Sequence, residues 1–426
     1  MNIPLNNLYD YIKNTAEKIY DQPLAIYRFF PNGSKNIDDL EPYEDYNWYE
    51  TITRPVLYCN DQEPLNYNYY AQTPKTYTSD DYRKILGKYN LITQQSNLDY
   101  VVNAHKHNFL IHSERRSNNL EKYQINHRLI GIYYWCHAII ARDWFRYVQH
   151  VDFFSKHPEK LFLIYNRAWT GTREYRLKFS DLLIEHGLVD QCLTFCNPVE
   201  DSQHYRDYDF ANASWRPKHV LEHYFLPSMA SSSASADFST RDYQSTEIEV
   251  VLETLFDDDR LHLTEKSLRP IACRQPFILA ATHGSLQYLR DYGFRTFDQV
   301  WDESYDKIVD PHARMLAIID LMKSIRNWTS QQRHEKKHLL HEIVSHNQRY
   351  FFSQSFFDLV QEELRENLNH AFLQVEPDQY SKQWWSKWQE RLKYNEIQEF
   401  LNTNKNLKLP TREQYEMLVK FFSKSA

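Results

Sequence analysis

The chain has 426 residues, which at roughly 100–200 residues per domain corresponds to two or three domains. Hydrophobic residues make up 42% and charged residues 25%, the ordinary usage of globular proteins, so the composition excludes a largely disordered chain. The 50 Lys and Arg against 57 Asp and Glu give a net charge of −7, which disfavours a protein held to nucleic acid mainly by phosphate contacts.

The first part of the chain alternates short apolar runs with an amphipathic stretch. Runs of strand length, rich in β-branched and aromatic residues, occupy 24–30, 56–59, 108–112 and 129–135. Residues 136–148 repeat apolar side chains at helical spacing, with Ile139 and Trp144 on one face. Alternating strands and helices predict an α/β layer with a parallel sheet, which we assign to an N-terminal domain of residues 1–155.

A second alternation predicts another α/β domain, residues 156–320. Its predicted strands are 161–165, 191–195, 248–255, 276–281 and 294–297, and its predicted helices are 173–186, 264–273 and 284–292. Gly187 stands where a helix C-cap belongs, and the Ser- and Ala-rich stretch at 229–237 is predicted to be a surface loop. From His312 onward the pattern is almost wholly helical, which predicts a helical C-terminal region of residues 321–426. A ligand site would then lie in the cleft between the two α/β domains, at the carboxyl ends of their strands.

The sequence Thr264-Glu265-Lys266-Ser267 opens one of these predicted helices. Thr264 is a suitable N-cap residue, and exposed amides with Thr and Ser hydroxyls at a helix start suit a phosphate group. Glu265 can accept hydrogen bonds from ribose hydroxyls, and Lys266 can meet a diphosphate as a point charge. The same residues also fit a capped surface helix with a solvated ion pair, so local physics leaves both readings open.

Residues 264–278, followed by Gly284 and Tyr288, resemble the donor-binding segment of glycosyltransferases with the two-domain GT-B fold. The likeness is greatest to the α1,3-fucosyltransferase-like group, whose motif runs Thr-Glu-Lys followed by a strand that begins near Pro. It covers residues 161–297, and the N-terminal half only by architecture. The resemblance implies the α/β fold class, with two Rossmann-like domains facing a cleft and a helical C-terminal extension.

The resemblance also implies roles for individual residues. In that group the Glu holds the nucleotide ribose and the Lys holds the diphosphate, which implies these roles for Glu265 and Lys266. The fucosyltransferase pattern has Phe where this chain has Ser267, so the identity of the donor sugar does not carry over. Residues 294–297 and 302–306 are similar to a stretch of glycosyltransferase-like proteins of tailed phages.

Three arginines follow the first predicted strand of the second domain. They are Arg167, Arg173 and Arg176. Arg173, Arg176 and Lys178 place three cations near the start of a predicted helix, where cations oppose the helix dipole and need an anion nearby. The diphosphate of a sugar nucleotide would supply that anion, and the GT-B resemblance places a diphosphate-binding Arg in this region. Pairing with Glu174 and Asp181 is the alternative, and the sequence does not distinguish which arginine is the main contact.

Glycosyl transfer with inversion needs a base that takes the proton of the acceptor. Asp61 and Glu63 directly follow the predicted strand 56–59, and catalytic groups of open α/β folds lie at such strand ends. Fucosyltransferase-like enzymes use an N-domain carboxylate, and we take Glu63 as first choice. Glu114 and His137 also follow predicted strands and are the weaker rivals, while an Asp/Pro turn is the structural alternative.

Two other patterns are typical of metal sites. His334-Glu335-x-x-His338 matches a zinc-protease motif, although its neighbours are strongly polar and cationic, as on a solvated helix. Asp257-Asp258-Asp259 follows a predicted strand, as does the metal-binding Asp-x-Asp of GT-A transferases, although such short patterns usually form turns.

These observations predict a metal-independent glycosyltransferase, hexosyl- or fucosyltransferase-like, that uses a nucleotide-sugar donor and needs no bound cofactor. The acceptor stays open between a glycan, a modified DNA base, a protein and a small molecule. The alternatives are the zinc protease and a non-catalytic binding or structural phage protein with a degenerate transferase fold.

No apolar run approaches the ~20 residues of a membrane span, and five scattered Cys fit reduced thiols. We therefore expect a cytoplasmic protein, in the host cytoplasm if it belongs to a phage.

Overall fold

The computed structural model of the chain describes residues 12, 14–16, 18–19, 25–29, 40–42, 56–59, 108–116, 129–151, 156, 158–200, 202–227 and 238–373. These residues fall into two compact units. The N-terminal unit contains the described residues up to 114 together with 129–136 and 361–373, and the central unit contains 115–116 and the described residues from 137 to 360. The predicted domain boundaries after residues 155 and 320 stay predictions.

Strands and helices alternate along most of the described chain. The strands are β1 (Ala25–Phe29), β2 (Leu40–Pro42), β3 (Val56–Cys59), β4 (Asn108–His112), β5 (Leu129–Tyr133), β6 (Lys160–Asn166), β7 (Cys192–Cys196), β8 (Val199–Glu200), β9 (Gln203–His204), β10 (Thr246–Leu252) and β11 (Phe277–Ala280). The α-helices are α1 (Cys136–Phe145), α2 (Tyr175–Glu185), α3 (Thr240–Gln244), α4 (Glu265–Ala272), α5 (Ser285–Asp291), α6 (Pro311–Arg326), α7 (Ser330–Phe351) and α8 (Gln354–Leu373).

The N-terminal unit is built on a five-stranded sheet with the order β2-β1-β3-β4-β5. The pairings from β1 through β5 are parallel, and β2 adds an antiparallel edge. Phe109, Ile111 and Ile132 are buried side chains of this sheet. Residues of α8 pack here as well, because Gln361 Nε2 donates to the hydroxyl of Tyr134 at 2.7 Å. The predicted parallel sheet is confirmed for this part of the chain, whereas the helix predicted at 136–148 belongs to the central unit from residue 137 onward.

A four-stranded, fully parallel sheet with the order β11-β10-β6-β7 forms the centre of the central unit. Residues 161–165 of β6 are all buried, without the alternation of a half-exposed strand. β10 is likewise buried over most of its length. Near-continuous burial is typical of a parallel sheet with both faces covered, as helices connecting parallel strands require.

The strand order of this sheet reverses between β6 and β10. From β6 the chain runs to β7 on one side, and later to β10 and β11 on the other side. At such a topological switch point the connections leave in opposite directions, which opens a crevice outside the carboxyl ends of the two strands. Residues that directly follow Asn166 and Leu252 are therefore the ones placed to meet a ligand.

Several local predictions are confirmed. Gly187 follows α2 with φ +62°, the left-handed conformation expected of a glycine C-cap. The Thr264 side chain accepts a hydrogen bond from the N–H of Lys266 at 3.3 Å and caps α4. The helical pattern after His312 is confirmed through α6, α7 and α8, while residues 374–426 and the predicted loop at 229–237 lie outside the described residues. Among the described helices, none is long and apolar enough to cross a membrane.

The predicted strand at 294–297 is wrong. The backbone of Arg295 forms both its hydrogen bonds with the side chain of Asn347 on α7, at 2.9 Å through its N–H and 2.8 Å through its carbonyl oxygen. Phe294 and Phe297 are buried, which explains the strand-like apolar pattern. An extended segment whose polar backbone groups are satisfied by a helix side chain needs no neighbouring strand.

Candidate functional site

Arg176 joins the two strand ends at the switch point. Its guanidinium donates to the carbonyl oxygens of Leu252 and Glu253 at 2.8 and 2.7 Å, and to that of Ala168 at 2.8 Å. The side chain is buried. The structure therefore places Arg176 inside the protein as a clamp between the segments after β6 and β10, and its predicted contact with a diphosphate stays a prediction.

Glu253 organises the start of α4. Its fully buried carboxylate accepts hydrogen bonds from the amide and hydroxyl of Thr264 at 3.0 and 2.8 Å. It also accepts from the amide and hydroxyl of Ser267 at 3.2 and 2.5 Å. A carboxylate at a helix N-terminus is stabilised by the helix dipole. Glu253 thus takes the amides and hydroxyls that the sequence assigns to a phosphate, and a ligand role of Thr264 and Ser267 stays a prediction.

Glu265 and Lys266 form an ion pair at the first turn of α4. Lys266 Nζ lies 2.8 Å from Glu265 Oε1 and 3.3 Å from the hydroxyl of Thr264. The other carboxylate oxygen, Oε2, lies 3.5 Å from Nδ1 of His137 on α1. The side chain of Glu265 is 5% exposed and that of Lys266 is 17% exposed. The pair is therefore not the solvated surface pair of the structural alternative, because its carboxylate is buried.

The charge of Glu265 is set by these neighbours. Burial opposes ionisation, but Lys266 and His137 outweigh it and hold the pKa of the Glu265 carboxyl well below its ordinary value. The ring of His137 packs edge-to-face on His262, with 5.0 Å between the ring centroids. The arrangement supplies an ionised, buried acceptor beside a more exposed ammonium group.

The loop after β6 supplies its own anion. The carboxylate of Glu200 accepts hydrogen bonds from the amides of Trp169 and Thr170 at 2.5 and 2.8 Å. Arg173 Nη2 lies 3.5 Å from Glu200 Oε1, and the Arg173 side chain is partly exposed. Arg167 is buried, with its guanidinium 4.5 Å above the ring of Tyr165. The ligand roles of Arg167 and Arg173 stay predictions.

The alternative pairings of this loop are partly as expected. Asp181 pairs with Lys178 at 2.5 Å, which is one of the pairings that the alternative expects. Glu174 is buried and accepts hydrogen bonds from the amides of Ala211 and Asn212 at 2.8 and 3.0 Å. Glu200, which neither reading of the sequence considered, is the carboxylate that meets an arginine here.

The candidates for the acceptor base differ in where the structure places them. Asp61 and Glu63 lie outside the described residues. Glu114 is buried in the N-terminal unit. His137, predicted only as a weaker rival for the base, lies in the central unit beside Glu265. The structure thus brings together two residues that the sequence assigned to different roles.

The metal-type motifs have other partners. His334, Glu335 and His338 are exposed on α7, and Glu335 accepts a hydrogen bond from Gln331. The zinc-protease alternative is not favoured, because a catalytic zinc site needs converging ligands in a cleft. Asp257 accepts from the indole N–H of Trp215 at 3.1 Å. Asp258 pairs with Arg260 at 2.6 Å, as expected of a turn.

Within the part of the chain that the structure describes, one group of side chains has ligand atoms close enough for a metal ion. It consists of Asp181, Glu185 and His219. Ammonium groups already neutralise it, since Lys178 lies 2.5 Å from Asp181 and Lys218 lies 3.2 Å from Glu185. These contacts describe a charge network around the buried Asp181 and not a metal site.

Glu253 was not predicted from the sequence, although its carboxylate accepts hydrogen bonds from both Thr264 and Ser267. The predicted strand 248–255 placed Glu253 inside the strand, whereas β10 ends at Leu252 and Glu253 directly follows it, at the edge where carboxylates are common functional groups. The pattern predicted at this strand end was instead the neighbouring Asp257-Asp258-Asp259. Glu200 was missed because it lies about 30 residues from the loop that it binds, as its contact with Thr170 shows.

Comparison with known proteins adds little to this geometry. No protein-family model matches the chain, and no curated protein matches it in sequence. Among solved structures, the chain is similar to an α,α-trehalose-phosphate synthase (UDP-forming) from Burkholderia xenovorans in complex with glucose-6-phosphate. The identity is 10% and the TM-score is 0.34, over 84% of this chain and 79% of the synthase. Likeness at this level does not establish a shared fold, and the resemblance to phage proteins stays a prediction.

Proposed function

We propose that the chain is a glycosyltransferase of the GT-B type that transfers a sugar from a nucleotide-sugar donor. Glu265 accepts hydrogen bonds from the ribose hydroxyls, and Lys266 contacts the diphosphate. The observation that carries the proposal is the buried, ionised carboxylate of Glu265 beside a more exposed ammonium group, at the switch point of a parallel sheet.

The pairing of opposite charges favours one class of ligand over simpler ones. A free phosphate would be repelled by the carboxylate of Glu265, and a neutral sugar would bring no opposite charge to the ammonium of Lys266. A ligand that joins a diol to a diphosphate satisfies both groups at once. Nucleoside diphosphates and nucleotide sugars have that chemistry.

The remaining predicted donor-site residues support this pair in different ways. Thr264 and Ser267 hold the first turn of α4 on Glu253, and Arg176 holds Glu253 by its backbone. Arg173 is partly exposed and is proposed as the arginine that adds charge to the diphosphate, with the buried Arg167 as second choice. With these cations in place the reaction needs no metal ion, so EDTA should leave turnover unchanged.

The chemical step requires a base for the acceptor. The acceptor hydroxyl attacks the anomeric carbon, a new glycosidic bond forms, and the nucleoside diphosphate leaves with the electrons of the broken bond. Glu63 is the proposed base, with Asp61 as second choice. Glu63→Gln should lower turnover by about 10²-fold or more while donor affinity is retained. Normal turnover in both Glu63→Gln and Asp61→Asn would move the role to Glu114 or His137.

Donor and acceptor are proposed only as classes. The donor is a nucleotide hexose or nucleotide fucose, and the acceptor is a glycan, a modified DNA base, a protein or a small molecule. We assign the reaction to the cytoplasm, where cysteines stay reduced.

The proposal is tested by calorimetry with UDP, GDP, ADP and CDP and their common sugar conjugates. At least one should bind, and Glu265→Gln should weaken it about tenfold or more, because a charge-assisted hydrogen bond contributes about 1.5–3 kcal/mol. Glu335→Gln, an exposed carboxylate on α7, is the matched control and should bind as the wild type does. Equal affinity in Glu265→Gln and wild type would contradict the proposal, and binding without turnover would favour the non-catalytic alternative.

A further inference from the structure

The carboxylate of Glu265 has a neighbouring side chain at each oxygen before a ligand arrives. Oε1 accepts from Lys266, and Oε2 faces Nδ1 of His137. The proposed function requires a carboxylate oxygen for the ribose and an ammonium group for the diphosphate. Because the side chain of Glu265 is only 5% exposed, we expect one of its two contacts to be exchanged when a nucleotide binds.

The two partners of Glu265 differ in their freedom to move. The side chain of His137 is 5% exposed, it extends from the first turn of α1, and its ring packs on His262. The side chain of Lys266 is 17% exposed and has four rotatable carbons. Lys266 is therefore the partner that can leave, and His137 is the partner that stays.

We propose that His137 is a positioning residue that holds Oε2 of Glu265, while Lys266 moves from Oε1 to the diphosphate of the incoming ligand. The inference rests on the proposed function of the pair. A buried carboxylate that loses the ammonium of Lys266 would carry a large desolvation cost, and His137, whose Nδ1 lies 3.5 Å from Oε2, would offset it by donating to that oxygen during the exchange. The vacated Oε1 is then oriented for the ribose hydroxyls.

Variants of His137 test the positioning role. Asn places its amide donor close to the position of the His Nδ1, whereas Leu has no donor and Gln places its donor farther out, near Nε2. His137→Asn should bind the nucleoside diphosphate found in the panel of UDP, GDP, ADP and CDP nearly as the wild type does. His137→Leu should weaken binding about tenfold, the loss expected for one charge-assisted hydrogen bond. If His137→Leu does not fold, the comparison of His137→Asn with His137→Gln serves in its place.

A double variant and the matching nucleoside complete the experiment. The losses in His137→Leu and Glu265→Gln should not add, because both remove the same ribose contact. Lys266→Met should weaken the nucleoside diphosphate but not the nucleoside, which lacks the diphosphate that draws the ammonium away. Wild-type affinity in His137→Leu, equal losses in the Asn and Leu variants, or fully additive losses would overturn the inference. An unaffected Glu265→Gln would instead remove the proposed function itself, so the two failures are distinguishable.

Discussion

The loop after β6 and the first turn of α4 both bring charged side chains to the switch point, but they use them differently. In the loop, Arg176 is buried against backbone carbonyl oxygens and Arg173 lies near Glu200. In the turn, Lys266 contacts Glu265 and keeps part of its surface exposed. Both regions carry the charges expected of a diphosphate site. They differ in the groups that their cations contact.

The difference between the two regions follows from the chemistry of their cations. The guanidinium of Arg176 offers several donors in a fixed plane, which suits it to join backbone carbonyl oxygens from two strand ends. The ammonium of Lys266 is a point charge on a flexible stem and can change partner at low cost. We infer that the loop contributes rigidity to the candidate site and that the turn contributes its exchangeable charge.

The largest effect is expected from Arg176→Met. The variant leaves three carbonyl oxygens without a charged donor inside the protein, so the free energy of unfolding should fall by about 3 kcal/mol. Urea denaturation measures the loss, with the exposed Arg365→Met as control. Nucleotide affinity of the folded fraction should stay close to wild type. Unchanged stability with lost affinity would mean that Arg176 binds ligand, and the comparison of the two regions would fail.

A smaller effect is expected on ligand affinity, where Lys266→Met and Arg173→Met should differ. Lys266→Met should weaken nucleoside diphosphate binding about tenfold or more, because it removes the proposed diphosphate contact. Arg173→Met should weaken it by less, because Arg173 also contacts Glu200 and the carbonyl oxygen of Thr170. Calorimetry on the two variants under equal salt decides the order. A greater loss in Arg173→Met would make the loop, and not the turn, the main anion site.

The third prediction concerns pH. The folded-state pKa of Glu265 is well below its ordinary value, so the ionised carboxylate stabilises the fold at pH values above that ordinary pKa. This stabilisation is lost as the pH falls through the folded-state pKa. In the acidic window between the two values, the unfolding free energy of wild type should fall by about 1.4 kcal/mol per pH unit more than that of Glu265→Gln. Urea denaturation from neutral to acidic pH measures the two slopes. Equal slopes would mean that Glu265 is not held ionised by its neighbours.

The sequence predicted elements better than partners. The strands β3 and β4 were predicted to the residue, and the caps at Thr264 and Gly187 follow from local chemistry. Local patterns could not show that Glu253 accepts the hydrogen bonds of Thr264 and Ser267. The spacing of these residues along the chain does not reveal which of their side chains are in contact in the fold. The buried Phe294 segment was mistaken for a strand for the same reason, since the side chain that satisfies its backbone lies on α7.

The smallest expected effect concerns Ser267, where the fucosyltransferase-like pattern has Phe. The Ser267 side chain is fully buried, and its hydroxyl donates to Glu253 at 2.5 Å. Ser267→Ala should cost about 1 kcal/mol of unfolding free energy, because Glu253 keeps the amide of Ser267 and both donors of Thr264. Nucleotide affinity should be unchanged, since the hydroxyl faces the protein's own carboxylate. Ser353→Ala, whose hydroxyl donates to the carbonyl oxygen of Tyr350, is the matched control for loss of a Ser hydroxyl outside the site. A marked loss of affinity in Ser267→Ala alone would show that the turn presents this hydroxyl to the ligand. Ser267 would then belong with Lys266 among the groups that contact the ligand, and not with the groups that only support the turn.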